Sequence, residues 1–192
     1  MVGTNSIRCM LYLKNGTFTP KDAELLLSKA RSVLSGQDVI IRDARVSSEY
    51  IEYDISFAIT EDLLMIESKL CDIGNLIGVY QVVEKEYEKN QALPLAMKFF
   101  NEEKYWIAHE ILEGVWKKSA GKEKQILNAL ILVAAAFVHY QKNESKIALS
   151  IMSRAQEKLR LANGDYFQIN VDSLKRDIDF ILKSNSISMV RL

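Results

Sequence analysis

The sequence predicts an α+β chain in two parts, a ferredoxin-like βαββαβ domain followed by an all-α helical bundle. Three observations lead there. Between Ile7 and Val83, alternating apolar stretches interleave with two stretches of helical period. After Pro94 nearly every apolar pattern has helical period. Between the two regimes lies EKEYEKN, residues 84–90, a charged and apolar-poor connector.

The elements follow in order. Ile7–Leu13 alternates, with Ile7, Cys9, Leu11 and Leu13 on one face and Arg8, Met10, Tyr12 and Lys14 on the other. Thr19 and Pro20 read as N-cap and first helical residue, and Gly36 stops that helix after Leu34. Val39–Val46 and Tyr50–Ile59 are strands joined by a short polar turn, hence a hairpin. Thr60 caps a helix over Glu61–Ile73, which Gly74 ends, and Leu76–Val83 is the last strand. One sheet face goes under the helices. The other carries Arg8, Tyr12, Lys14, Glu52, Asp54 and Tyr80 and reads first as a solvated or domain-docking face. Cys9 and Cys71 both read as inert thiols in apolar surroundings.

Beyond the connector the expected helices are Leu95–Asn101, Glu103–Lys118, Lys122–Lys142, Ser145–Leu161 and Val171–Lys183. Gly121, Asn143 and Asn163-Gly164 mark the turns. Domains of 1–86 and 94–184 follow, with 185–192 as a loosely held tail.

Composition narrows the function. The chain has 192 residues and is 48% apolar, enough for a real core. Residues 1–90 carry 10 Lys+Arg against 14 Asp+Glu, and residues 91–192 carry 15 against 11, so the halves are net −4 and +4. No strong basic footprint exists, which argues against nucleic acid, while opposed charges suit docking of the two halves or pairing of subunits, so a homo-oligomer or a protein partner is expected. The run Ile126–Val138 is short of the roughly 20 apolar residues a membrane span needs. Arg8 and Lys14 interrupt the apolar N-terminus, so no secretory signal is read there. Two cysteines make no disulfide framework, and a cytoplasmic protein is expected.

The richest stretch is FNEEKYWIAHEILEGVW, Phe100–Trp116. At about 100° per residue from His109, Trp116 lies at about −20°, Tyr105 at about −40°, Glu113 at about +40° and Trp106 at about +60°. Glu110 lies farther round, at about +100°. His109 therefore sits in an aromatic stripe with Glu113 one turn on, while Ile107 and Ile111 occupy the opposite side. The following helix packs back after the Ser119–Gly121 turn, so facing residues should have numbers totalling about 240, which brings Asn128 level with Leu112.

Three readings remain open. His109, Glu113 and Asn128 can form a buried hydrogen-bonded cluster that fixes helix register. Tyr105, Trp106, His109, Glu113, Trp116 and Asn128 can line an aromatic pocket or groove for a ligand or partner. His109 and Glu113 can share a metal, with Glu110 as general base, although HExxE is not the HExxH of zinc proteases and Glu-x-x-His does not occur here. No GxSxG, P-loop or GxGxxG is present, so no nucleophile or cofactor is indicated. Lys117, Lys118, Lys122 and Lys124 cluster at the hairpin turn, where they could hold an anion or simply be solvated.

The pattern FN-x3-Y-x2-AHE-x-LE-x2-W, carried by Phe100, Asn101, Tyr105, Ala108, His109, Glu110, Leu112, Glu113 and Trp116, resembles domain-of-unknown-function family 309. Leu127–Leu132, Ala134–Ala136, His139, Ala148 and Ala155 extend the similarity, which covers about residues 95–162. Asn128 and Leu132 stand where glutamines are usual in that family. The resemblance implies an all-helical bundle and supplies no activity. The function expected is a non-enzymatic binding module with an aromatic-lined helical groove. A metal-dependent hydrolase-like enzyme is the alternative.

Overall fold

The computed structural model describes residues 6–58 and 61–192, the side chains of 61 and 62 excepted. The expected Thr60 cap and the Ile59 end of the third strand lie outside the described residues. The chain divides into two compact units, one of residues 1–84 with 141–143, the other of 85–140 and 144–192.

The first unit is an antiparallel four-stranded sheet with two helices. β1 (Ile7–Lys14) is followed by a 3-10 turn (Pro20–Asp22) and α1 (Ala23–Val33), then by β2 (Val39–Val46), β3 (Tyr50–Phe57), α2 (Glu61–Leu70) and β4 (Leu76–Gln81). The strand order is β2-β3-β1-β4. Thr19 and Asp22 form the capping box that opens the first helix, as the Thr-Pro signal predicts. Gly36 has φ +80° past its end, a left-handed residue where glycine costs least. Gly74 serves a second purpose besides ending a helix. A Cβ there would meet the Lys14 carbonyl at 2.5 Å, so the chain can pass β1 only without a side chain.

The core is built on the expected face. Cys9, Leu11, Leu13, Ile51, Tyr53 and Ile55 pack against Leu26 and Ala30 of α1 and Ile66 and Leu70 of α2. The Tyr53 hydroxyl donates to the Leu26 carbonyl at 3.0 Å.

The opposite face is not the solvated one that the sequence allowed. All eight residues of β3 are buried, so Glu52 and Asp54 are not solvated. Cross-strand register explains how their charge is tolerated. Arg45 lies opposite Glu52, and the two buried side chains form an ion pair. Asp54 is held by Arg8 at 2.6 Å and Arg42 at 3.5 Å, and Arg42 also donates to Ser56. Burial and the Glu52 carboxylate beside it push the Tyr12 phenol well above its ordinary range. The face is a charge-matched cross-strand ladder, and the sequence reading missed Arg45 as its central cation.

The two thiols also differ from each other. Cys9 is buried, and desolvation, with Asp54 nearby, pushes it up to about 11. α2 ends at Leu70, so Cys71 falls beyond it and is exposed, not inert in the core. A native-state titration with a thiol reagent at pH 8 should therefore label one cysteine per chain quickly and the second only on unfolding. Rapid labelling of both would mean that Cys9 is accessible.

The second unit is helical. It comprises α3 (Lys89–Asn101), α4 (Tyr105–Lys117), α5 (Gly121–Gln141), α6 (Ser145–Leu159), a two-residue hairpin of β5 (Asp165–Tyr166) and β6 (Ile169–Asn170), and α7 (Val171–Ser184). Gln141 itself groups with the first unit. Among the described residues, no helix is long and apolar enough to cross a membrane.

Two expectations fail in this unit. α3 begins at Lys89, so residues 89 and 90 are helix, not connector, and Pro94 lies inside it. Ala92, Leu93, Ala96 and Phe100 are its buried stripe, which starts before the proline. Proline only deprives the Asn90 carbonyl of its helical donor, and Asn90 is exposed, so water can satisfy it. The tail is also not loose. Asn101 clasps Leu192 twice, donating to its carbonyl at 2.8 Å and accepting from its N–H at 3.0 Å. Val190 is buried beside this clasp in sequence.

Candidate functional site

The site is built on the α4–α5 hairpin. The left-handed Glu103 (φ 61°) turns the chain from α3 into α4, and Gly121 (φ 59°) opens α5. The hairpin register matches the spacing rule. The His109 ring contacts the Ile131 carbonyl, and Lys124 lies over Trp116 at 4.5 Å; both pairs of numbers total 240. Tyr105 stacks on Phe137, two residues off that total, with ring centroids 4.7 Å apart.

The aromatic stripe does not stay together. The buried residues of α4 are Tyr105, Ile107, Ala108, Ile111, Leu112 and Val115. Their arc is centred on the side away from Trp106 and Glu113. Tyr105 alone therefore joins the core, edge-on to Phe100 and stacked on Phe137, with its hydroxyl 3.3 Å from the Met189 sulfur. Trp106, His109, Glu113 and Trp116 lie half-buried along one flank, and Glu110 is exposed. The expectation of a buried His109 is corrected. Ile107, Ile111 and Val115 bury aliphatic surface at no polar cost and so claim the core side.

His109 has a defined geometry. Its Nδ1 lies 3.2 Å from the Ile131 carbonyl, an acceptor only, which calls for a proton on Nδ1. Nε2 then faces the Glu113 carboxylate at 3.5 Å. The side chains are 23% and 38% exposed, so this is a surface pair and not the buried cluster anticipated. Asn128 is half-exposed on α5, and no hydrogen bond among the described residues ties it to His109 or Glu113.

A metal is poorly supplied. Among the described residues, no group of three or more His, Cys, Asp or Glu side chains converges on a point. His109 and Glu113 alone fall short of the usual three or four protein ligands. The second histidine, His139, is engaged with Glu144 at the far end of α5.

One concavity escaped the sequence reading. Tyr87, Glu88, Lys89, Val115, Lys118, Ser119 and Glu123 line an open cleft of about 190 Å³. None of the six residues anticipated for the site lines it, and it is below the roughly 300–1,000 Å³ usual for small-molecule pockets. Its charges are matched internally. Lys89 reaches Glu123 at 2.7 Å, Lys118 reaches Glu86 at 2.9 Å, and the Tyr166 hydroxyl donates to Glu123. These bonds hold the Glu86 and Glu123 carboxyls below their ordinary range, Glu86 through Lys118 and Glu123 mainly through Lys89. Lys118 of the lysine run therefore faces Glu86 from the supposed connector, and Lys124 lies over Trp116, which weakens the reading of the run as an anion site.

Residues 93–151 match the family model described as Domain of unknown function (DUF309). A crystal structure of a conserved hypothetical protein from Thermus thermophilus is similar at 23% identity and a TM-score of 0.42, over 47% of this chain and 94% of that one. No curated protein matches the chain.

Proposed function

We propose that this chain, with its DUF309 segment at residues 93–151, is a soluble, non-enzymatic binding module that engages a protein partner through the half-buried flank of α4 and the facing part of α5. The observation that carries the reading is the placement of Trp106 and Trp116 on one half-buried flank, with His109 and Glu113 between them. Tryptophan is enriched among the anchor residues of protein interfaces, because it brings a large apolar face and one N–H donor. The imidazole and carboxylate supply polar contacts between the two anchors, and Asn128 adds an amide from α5. Tyr105 drops out of the contact set, since it belongs to the core.

The neighbouring cleft is small and internally neutralised, so a flat partner surface suits the flank better than an enclosed small molecule. The first unit is read as ferredoxin-like. Its βαββαβ order, its antiparallel pairing and the strand sequence β2-β3-β1-β4 support that reading.

The test is capture of binding partners by the tagged full chain, compared with Trp106→Ala and Trp116→Ala. A partner retained by the parent chain should be lost from at least one variant. Both variants should unfold within about 1–2 kcal/mol of the parent, because neither indole is fully buried. Capture that survives both substitutions would remove the flank as the binding surface.

A further inference from the structure

The two edges of the four-stranded sheet are treated very differently by the sequence. β2 forms one edge, and it is guarded. It carries Arg42, Asp43 and Arg45, and its register shifts between Ile41 and Asp43. The Arg31 guanidinium from α1 also occupies its carbonyls, donating to Ile41 at 2.8 and 3.0 Å and to Arg42 at 3.1 Å. Charges, bulges and covering groups are the devices by which edge strands avoid pairing with other chains.

β4 forms the other edge. The stretch Leu76–Val83, LIGVYQVV, holds no charged residue and no proline. The backbone direction follows from the ladder with β1. The Val82 N–H donates to the Arg8 carbonyl at 2.9 Å, and the same register continues through Met10 with Tyr80 and Tyr12 with Gly78. In an antiparallel ladder hydrogen-bonded and non-hydrogen-bonded pairs alternate, so Val79 and Gln81 turn their N–H and C=O groups away from β1. Among the described residues, no hydrogen bond uses those outward groups. The side chains on this edge are open too, with Ile77 53%, Val79 43% and Val83 54% exposed. The one irregularity of the β1–β4 ladder lies at Tyr12/Leu13, toward the Leu76 end, and leaves Val79–Gln81 regular.

We infer that this edge pairs antiparallel with β4 of a second copy of the chain, joining two four-stranded sheets across a two-fold axis. The occupant is identified by charge and symmetry. An antiparallel strand meets its own sequence reversed, and a segment without charge meets no like charge when it does so. A two-fold axis beside Tyr80 sets Val79 opposite Gln81 of the partner subunit and closes roughly four backbone hydrogen bonds. The exposed aliphatic side chains of Ile77, Val79 and Val83 then line the seam, where β-branched residues pack well.

Sedimentation equilibrium of the full chain over about 1–100 µM, with Val79→Pro and Val79→Lys, tests this directly. Val79 makes no ladder bond through its N–H, so proline there removes an edge donor and spares the β1–β4 pairing. Lysine keeps the strand and places like charges at the seam. The parent chain should sediment as a dimer, and each folded variant should raise the dissociation constant at least about 100-fold. A parent chain that stays monomeric at the highest concentration overturns the inference. So does a dimer unaltered in either variant with an unchanged far-ultraviolet spectrum, since it is then held through another surface.

Discussion

Tyr105→Ala is expected to destabilise the helical unit by about 3–5 kcal/mol, the range for deleting a buried aromatic ring. The ring is 2% exposed and sits at the meeting point of three helices and the C-terminal segment. It stacks on Phe137 of α5, meets Phe100 of α3 edge-on at 4.8 Å, and places its hydroxyl against Met189. Burial holds the phenol well above its ordinary range, so it stays neutral throughout the accessible pH window. Alanine would leave a cavity bounded by two other rings, which cannot collapse without giving up their edge-to-face geometry. Tyr105→Phe isolates the hydroxyl and should cost less than about 1 kcal/mol, because a thioether is a weak acceptor. Guanidinium unfolding followed by tryptophan fluorescence reads the relevant unit, since both tryptophans lie in α4. A loss below about 1 kcal/mol for the alanine variant would show that the ring is not a core element.

The second large effect lies in the sheet. Glu52→Ala should destabilise the first unit by about 3–5 kcal/mol, the cost of breaking a buried ion pair from one side. Arg45 is 2% exposed, and the neighbours left to its charge would include Asp43, at 3.8 Å, and the Met10 sulfur, at 3.2 Å, each a poorer partner than the lost carboxylate. Replacing both members, Arg45→Met with Glu52→Leu, should recover most of that loss, since well-packed apolar pairs often equal or exceed buried ion pairs. A double-mutant cycle by chemical denaturation, with Arg45→Met and Glu52→Leu as the single variants, gives the coupling between them. A double variant whose loss equals the sum of the two single losses would mean that the pair contributes no coupling and that packing alone set the cost.

Much of the α+β organisation was legible, because period-2 and period-3.6 patterns are local. The strand Val39–Val46 has the bounds read from the sequence, and Thr19 with Asp22 caps where the Thr-Pro signal stands. Asn143 turns left-handed between α5 and α6 at φ 65°, as a terminal asparagine predicts. What escaped was set by tertiary partners. The stripe of α3 begins at Ala92, but Pro94 outweighs it in any local reading. The hairpin Asp165–Asn170 is two residues a side, too short for a pattern.

The candidate site was legible in composition and misjudged in depth. A helical wheel gives angles between residues, not which arc faces the core. On α4 that choice was made by Ile107, Ile111 and Val115, so the wheel's neighbours Tyr105 and His109 parted company, one inward and one to the flank. Arg45 was overlooked for a related reason. Its meaning depends on lying opposite Glu52, and that is a property of register between two strands.

The clasp between Asn101 and Leu192 has a consequence for how the chain is made. Its two ends are 91 residues apart, and synthesis proceeds at about 5–20 residues per second, so Asn101 waits for several seconds before its mate exists. Met189, which closes over Tyr105, arrives just as late. The four-stranded sheet has all its strands within the first 81 residues and can assemble meanwhile. The helical unit instead stays unfinished at its aromatic centre until Met189 and Leu192 have been added.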